Sequence, residues 1–198
     1  MNALVVNSSG RTEQSVSRKL VAELVAELST KHPGLQTTYR DVAIGLPFVN
    51  DLMIGGFYIP DEQRTAEQRQ ALIWSDELVQ ELQAADVLVI GVPIYNFSIP
   101  ASLKAWVDLI ARAGLTFKFS EAGPEGLLKG KKAYLVVTSG GLPVGSPADL
   151  ATPYLRQVLA FVGITDVHII SADQLNLLGE QPVGTAREAI RQIHAVVA

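Results

Sequence analysis

Residues 87–92, Val-Leu-Val-Ile-Gly-Val, form an unbroken apolar run closed by Pro93. A short run of this kind, rich in β-branched side chains, reads as a strand buried on both faces of a parallel sheet. Burial on both faces demands helices above and below, so this one stretch confines the chain to a layered α/β architecture. Ile94-Tyr95-Asn96-Phe97 follow at once, and after Ser98-Ile99-Pro100 a helical pattern opens. Polar and aromatic groups thus gather at the strand's carboxyl end, the edge at which open α/β sheets bind ligands. The chemistry is expected there.

The flanking sequence supplies the other layers. Ala3 to Val6 reads as a buried strand ending in the turn composition Asn7-Ser8-Ser9-Gly10-Arg11. From Ser15, apolar residues at Leu20, Val21, Leu24, Val25 and Leu28 recur at helical spacing. Gln36 to Asp41 alternates like an edge strand, and Val42 to Thr65 is a Gly- and Pro-punctuated excursion with room for one short helix. Excursions of that length are usually functional or carry an interface. Helices are expected from Thr65 to Ala84 and from Pro100 to Ala113, then a short β segment at Phe117-Lys118-Phe119 and a turn-rich loop from Glu121 to Gly126. Ala133 to Val137 is the next buried strand, ending in Thr138-Ser139-Gly140-Gly141. Leu150 to Val162 reads as a helix, Val167 to Ile170 as a fifth strand, and Gly184 to Val197 as a last helix. The expected fold is a single domain over 1–198: a doubly wound five-stranded parallel sheet, order 2-1-3-4-5, with helices on both faces.

Composition narrows the function. With no cysteine, the chain has no disulfide, thiol nucleophile or thiolate metal site, so redox work requires a cofactor. A net charge of −4, with no basic run, disfavours nucleic acid and anionic membranes as partners. The N-terminus lacks a charged leader and no apolar stretch reaches the length of a membrane span, so a cytoplasmic protein is expected. His32, His168 and His194 do not cluster, so no metal site is expected. GxGxxG, GxxxxGK[ST] and GxSxG are all missing, which argues against a dinucleotide-type Rossmann site, a P-loop NTPase and a serine hydrolase.

In the expected strand order three loops meet: Asn7 to Ser17, Pro93 to Phe97, and Thr138 to Gly141. Ser9, Ser15 and Ser17 at a helix start suit a phosphate, since hydroxyls and free N–H groups sit at the dipole's positive end. Ser15 equally suits a plain helix cap. Tyr95, Asn96 and Phe97 suit the wall of a flat ring, or the rim of the core; Gly140 and Gly141 suit close backbone approach, or only a turn. Taken together the loops point to a planar, phosphate-bearing cofactor.

Three segments make the resemblance specific: PIYNFSIPASLKAWVDLIARAGLTFKFSEAGPEGLLKGKKA, TSGG and DLATPYLRQVLAFVGITDV. Nearly end to end, the chain resembles the FMN-dependent NADH:quinone oxidoreductases, also called FMN-dependent azoreductases, a flavodoxin-like family of homodimers. The resemblance implies that Ser9 and Ser15-Val16-Ser17 bind the FMN phosphate. It implies that Pro93-Ile94-Tyr95-Asn96-Phe97 contact ribityl and isoalloxazine, and that Thr138-Ser139-Gly140-Gly141 line the ring's polar edge. Phe119 and Phe161 are implied as aromatic walls of the pocket where nicotinamide and substrate take turns. Ile94 stands where the family often has methionine, and the loop from Ser9 to Ser15 is short here.

The implied activity is ping-pong two-electron transfer from NADH or NADPH, through FMN, to quinones and azo compounds. No side chain is assigned as catalytic. The rival reading is a flavodoxin-like single-electron carrier, against which the modest charge and the long excursion from Val42 to Thr65 both weigh.

Overall fold

The computed structural model describes residues 1–193. In chain order the elements are β1 (Asn2–Asn7), α1 (Val16–Lys31), β2 (Gln36–Asp41), α2 (Asp51–Phe57), α3 (Ala66–Ala84), β3 (Val87–Pro93), α4 (Ala101–Ile110), β4 (Phe117–Ser120), β5 (Gly123–Gly126), β6 (Lys132–Thr138), α5 (Ala151–Val162), β7 (Asp166–Ala172), α6 (Leu175–Leu178) and α7 (Gln181–Arg191). Five strands form one parallel sheet in the order β2-β1-β3-β6-β7, which is 2-1-3-4-5 counted within that sheet. Every residue of β3 is buried, as its aliphatic run requires.

Alternation along the strands divides the core between the two faces. Ala3, Val5, Val87, Val89, Tyr134 and Val136 pack under α1 and α7, against Leu20, Leu24, Val183 and Ile190. Leu4, Val6, Leu88, Ile90, Leu135 and Val137 face the other way, toward Leu78, Leu103, Trp106 and Leu155 of α3, α4 and α5. The polar β2 lies at the rim. The other edge strand, β7, is only partly buried.

Two segments depart from the sequence expectation, and the excursion holds the one short α-helix expected of it. Gly123 to Gly126, expected as loop, is β5, paired antiparallel with β4 in a separate two-stranded sheet. Main-chain pairing tolerates Gly and Pro at such a short edge, so composition did not betray it. The excursion holds α2 flanked by two single turns of 3₁₀ helix, Val42–Ile44 and Asp61–Gln63. It is tied to the body through the fully buried Arg112, whose guanidinium lies 5.1 Å from the Phe57 ring centroid and donates to Ser75 and Asp76. The last helix starts earlier than expected, at Gln181 with Pro182 in its first turn, and its expected end near Val197 falls outside the described residues.

The hairpin β4–β5 is fastened to the end of α5 by main-chain contact. The Leu128 N–H donates to Val162 O at 2.8 Å, and Gly126 lies against Gly163, the αL C-cap of α5. A Cβ on Gly126 would fall 2.1 Å from Gly163 N, and neither backbone can yield. Gly126→Ala should therefore lower the unfolding free energy by about 3 kcal/mol in urea denaturation, while Gly10→Ala, where nothing lies within 4 Å, should change it little.

Candidate functional site

The parallel register brings the carboxyl ends of β1, β3 and β6 level, pairing Asn7 with Gly91 and Pro93 with Thr138. Each strand then hands its chain to a loop tied to a neighbour. In the first loop the Ser8 hydroxyl donates to Gly91 O at 2.7 Å, and Ser15 caps α1 by accepting the Arg18 N–H. The hydroxyls of Ser15 and Ser17 lie 3.1 Å apart, and that of Ser9 lies 3.3 Å from the Tyr95 hydroxyl, bridging two loops. Ser9, Ser15 and Ser17 are at most 4% exposed, at the N-terminus of a 16-residue helix.

The second loop is a tight turn. Tyr95 and Ser98 exchange main-chain hydrogen bonds, and the two residues between them, Asn96 and Phe97, have φ of 49° and 73°. Positive φ at both central residues is the signature of a type I′ turn, which favours Asn at the first position and Gly at the second. Phenylalanine at the second is strained, because its Cβ crowds the following carbonyl. The turn is held by the Ile94 N–H to Thr138 O and by the Leu150 N–H to Phe97 O.

The third loop is braced by the segment after β7. The Ser139 hydroxyl donates to Leu142 O and accepts from the Gln174 N–H; Leu175 and Asn176 donate to Ser139 O and Gly140 O. Asp173 accepts from the Val144 N–H at 2.8 Å. Asp149 is buried and accepts from the N–H groups of Gly145, Ala151 and Thr152, fixing the loop to the start of α5. Burial acts to raise the Asp149 carboxyl, but these amides outweigh it and hold it below the usual range.

The loops enclose a cavity of about 350 Å³ lined by Ser9, Ser15, Val16, Ser17, Pro93, Ile94, Tyr95, Thr138, Ser139 and Gly140. All ten were expected from the sequence. Asn96 lies in an adjoining hollow of about 540 Å³ that shares Tyr95; Phe97 and Gly141 line neither, and Phe97 is 59% exposed. Phe119 and Phe161, expected at the substrate pocket, are not brought here. Phe119 lies on a third hollow, of about 580 Å³, with Phe57 and Tyr58, and Phe161 packs on Phe117 with ring centroids 4.5 Å apart. Both sit with the β4–β5 hairpin or the helix end that carries it, away from the three loops. The wall also includes Arg11, Gln14, Leu175 and Asn176, which the sequence reading missed. Arg11 and Gln14 fall within the loop already singled out. The segment carrying Leu175 and Asn176 follows a strand next to β6, which the rule of carboxyl-end loops would nominate.

A family model described as flavodoxin-like fold matches residues 1–197. The "FMN-dependent NADH:quinone oxidoreductase 1" of Hahella chejuensis is 50% identical over 195 residues, covering 98% of this chain and 96% of that one. The "FMN-dependent NADH:quinone oxidoreductase" of Thiobacillus denitrificans is 51% identical over 193 residues, covering 98% and 94%. The chain belongs to the flavodoxin-like family, among the FMN-dependent NADH:quinone oxidoreductases. The crystal structure of an azoreductase from Bacillus anthracis, 28% identical, superposes with a TM-score of 0.86 over 97% of this chain and 99% of that one.

The cavity suits the cofactor in that family's name. The buried hydroxyls of Ser9, Ser15 and Ser17, beside the N-terminus of α1, suit a phosphate. Pro93, Ile94 and Tyr95, which lead into the type I′ turn, form another part of the wall, and Gly140, whose Cβ would strike the Asn176 side chain at 2.7 Å, brings bare backbone to it. The volume lies within the range of small-molecule sites, roughly 300–1,000 Å³.

Two consequences follow for stability. Phe97→Gly should raise the unfolding free energy of the ligand-free protein by about 1 kcal/mol in chemical denaturation, since the ring loses little packing and the αL strain is relieved. Asp149→Asn should lower it by about 1 kcal/mol at neutral pH. The native carboxyl sits below its unfolded value of about 3.9, so its contribution is complete above that pH and is lost as pH falls through the native value. In acid titrations of both proteins, the difference should close toward low pH.

Proposed function

We propose that this protein is an FMN-dependent NADH:quinone oxidoreductase that also reduces azo compounds, passing two electrons by a ping-pong cycle. The observation that carries the reading is the convergence of three strand-end loops on one cavity, with the buried hydroxyls of Ser9, Ser15 and Ser17 on its wall. The half-identical relatives named for this activity support it along nearly the whole chain.

Ser9, Ser15 and Ser17, with the N-terminal amides of α1, hold the phosphate, and Arg11 adds a cation at the same wall. Pro93 to Phe97 support the ribityl chain and one face of the ring, and Thr138 to Gly141 its polar edge. Bound FMN supplies the two-electron chemistry between nicotinamide and acceptor; the protein contributes position and field. Main-chain amides near Asn96 and Gly140 would favour negative charge on the ring's polar edge. Among the described residues lining the cavity there is no Asp, Glu or His, so protons are drawn from water.

The working form is a homodimer in the cytoplasm, with neither nucleic acid nor membrane as a partner. Ile44, Phe48, Tyr58 and Phe119 are between 69% and 84% exposed, an apolar set that a second copy would cover. Phe119 is assigned to that interface, which is how an aromatic wall remote from its own chain's cavity serves a pocket. Among the described residues no helix is long and apolar enough to cross a membrane.

Anaerobic protein saturated with FMN should lose its visible flavin absorption on adding NADH and recover it fully on adding a benzoquinone. The same protein should consume NADH steadily with quinone and no partner protein. An unchanged spectrum after NADH would move the single-electron carrier ahead; failure to take up FMN would overturn the assignment of the cavity.

A further inference from the structure

We infer that Arg18 is a positioning residue that shapes the first loop for a phosphate from behind, without touching it. The inference rests on the cavity receiving FMN. Arg18 lies one turn into α1, away from the cavity wall, with its side chain only 18% exposed. Its guanidinium makes four hydrogen bonds to two separate pieces of chain. Nη1 and Nη2 donate to Asp41 Oδ2 and Oδ1 at 2.7 and 2.9 Å, a bidentate pair at the carboxyl end of β2. Nη2 also donates to Ser9 O at 2.7 Å, and Nε to Arg11 O at 3.0 Å.

Those two carbonyls belong to the loop that carries the phosphate seat. A trans peptide is planar, so a carbonyl and the N–H of the next residue point in opposite directions. Holding Ser9 O and Arg11 O on the guanidinium therefore turns the N–H groups of Gly10 and Thr12 away from it. It also removes two carbonyl dipoles from the options an anion would meet as repulsion. Side-chain packing does not hold the segment at Gly10, since nothing lies within 4 Å of where a Cβ would be, so its main-chain direction depends on these hydrogen bonds. Asp41 anchors the fork: its Oδ1 also accepts the Ala43 N–H at 3.1 Å, so the carboxylate is fixed to the backbone beyond β2. The positive charge is thus retained near the helix N-terminus, while its donors are spent on main-chain oxygens and on Asp41. A lysine would keep the charge but, as a single ammonium, cannot span a bidentate carboxylate and two carbonyls.

The test compares FMN with riboflavin, which lacks the phosphate, by fluorescence titration of the flavin-stripped wild type, Arg18→Lys and Asp41→Asn, each checked for folding by circular dichroism. Arg18→Lys should weaken FMN binding about tenfold, as loss of charge-assisted hydrogen bonds implies, and leave riboflavin binding within about twofold. Asp41→Asn should shift the same ratio in the same direction, and it decides the matter should Arg18→Lys fail to fold. Equal losses for both flavins would mark a merely structural role and overturn the inference, as would unchanged or tighter FMN binding. A wild type that binds riboflavin as tightly as FMN would overturn it too. A wild type that binds neither flavin would instead overturn the assignment of the cavity.

Discussion

Parallel pairing of β3 with β1 on one side and β6 on the other is the constraint on which the remainder rests. Parallel neighbours must be joined by crossovers, and the crossovers here are helices, so α1, α4 and α5 pack on the sheet while the loops that precede them, after β1, β3 and β6, emerge at one edge. Had these strands run antiparallel, tight hairpins would have placed consecutive loops at opposite ends. The register does the finer work: Asn7 lies level with Gly91, and Pro93 with Thr138, so the loops begin within hydrogen-bond reach of one another.

The loops spend that proximity on rigidity. Ser8 is tied to β3, Ile94 to β6, Phe97 to the start of α5, and Ser139 and Gly140 to the segment after β7. Most of the polar side chains near the cavity already have partners inside the protein, so what they offer a ligand is a prepared shape. The strained Phe97 fits this picture, because a residue with a bulky side chain persists at positive φ only where the surroundings over-determine it.

The excursion between β2 and α3 and the β4–β5 hairpin meet in a second region of the same body. Phe57, Tyr58 and Phe119 share one hollow there, and Arg112 anchors it from inside through Phe57, Ser75 and Asp76. Burial lowers the basicity of that guanidinium, against the pull of Asp76, and it remains a cation held between a ring and a carboxylate. The aromatic side chains that the sequence suggested for a substrate pocket belong to this region and not to the cavity of their own chain.

By itself the sequence determined the layer architecture, the strand order and most of the cavity wall. Each of these follows from short-range pattern: an aliphatic run of strand length, helical spacing of leucines, serines before a helix, Tyr-Asn-Phe before Pro. Tertiary structure decided what depends on residues far apart in the chain. Nothing local links Arg18 to Asp41, 23 positions on, or Asn176 to Gly140, and no side-chain pattern marks Gly123 to Gly126 as a strand, because two of its four residues are glycine and the Lys118–Glu125 ion pair across it forms only once the hairpin closes. Phe119 and Phe161 show the same limit from the other side. A sequence names an aromatic, but the face it joins is settled by which element packs on which, and that is fixed only when burial is shared out across the whole fold.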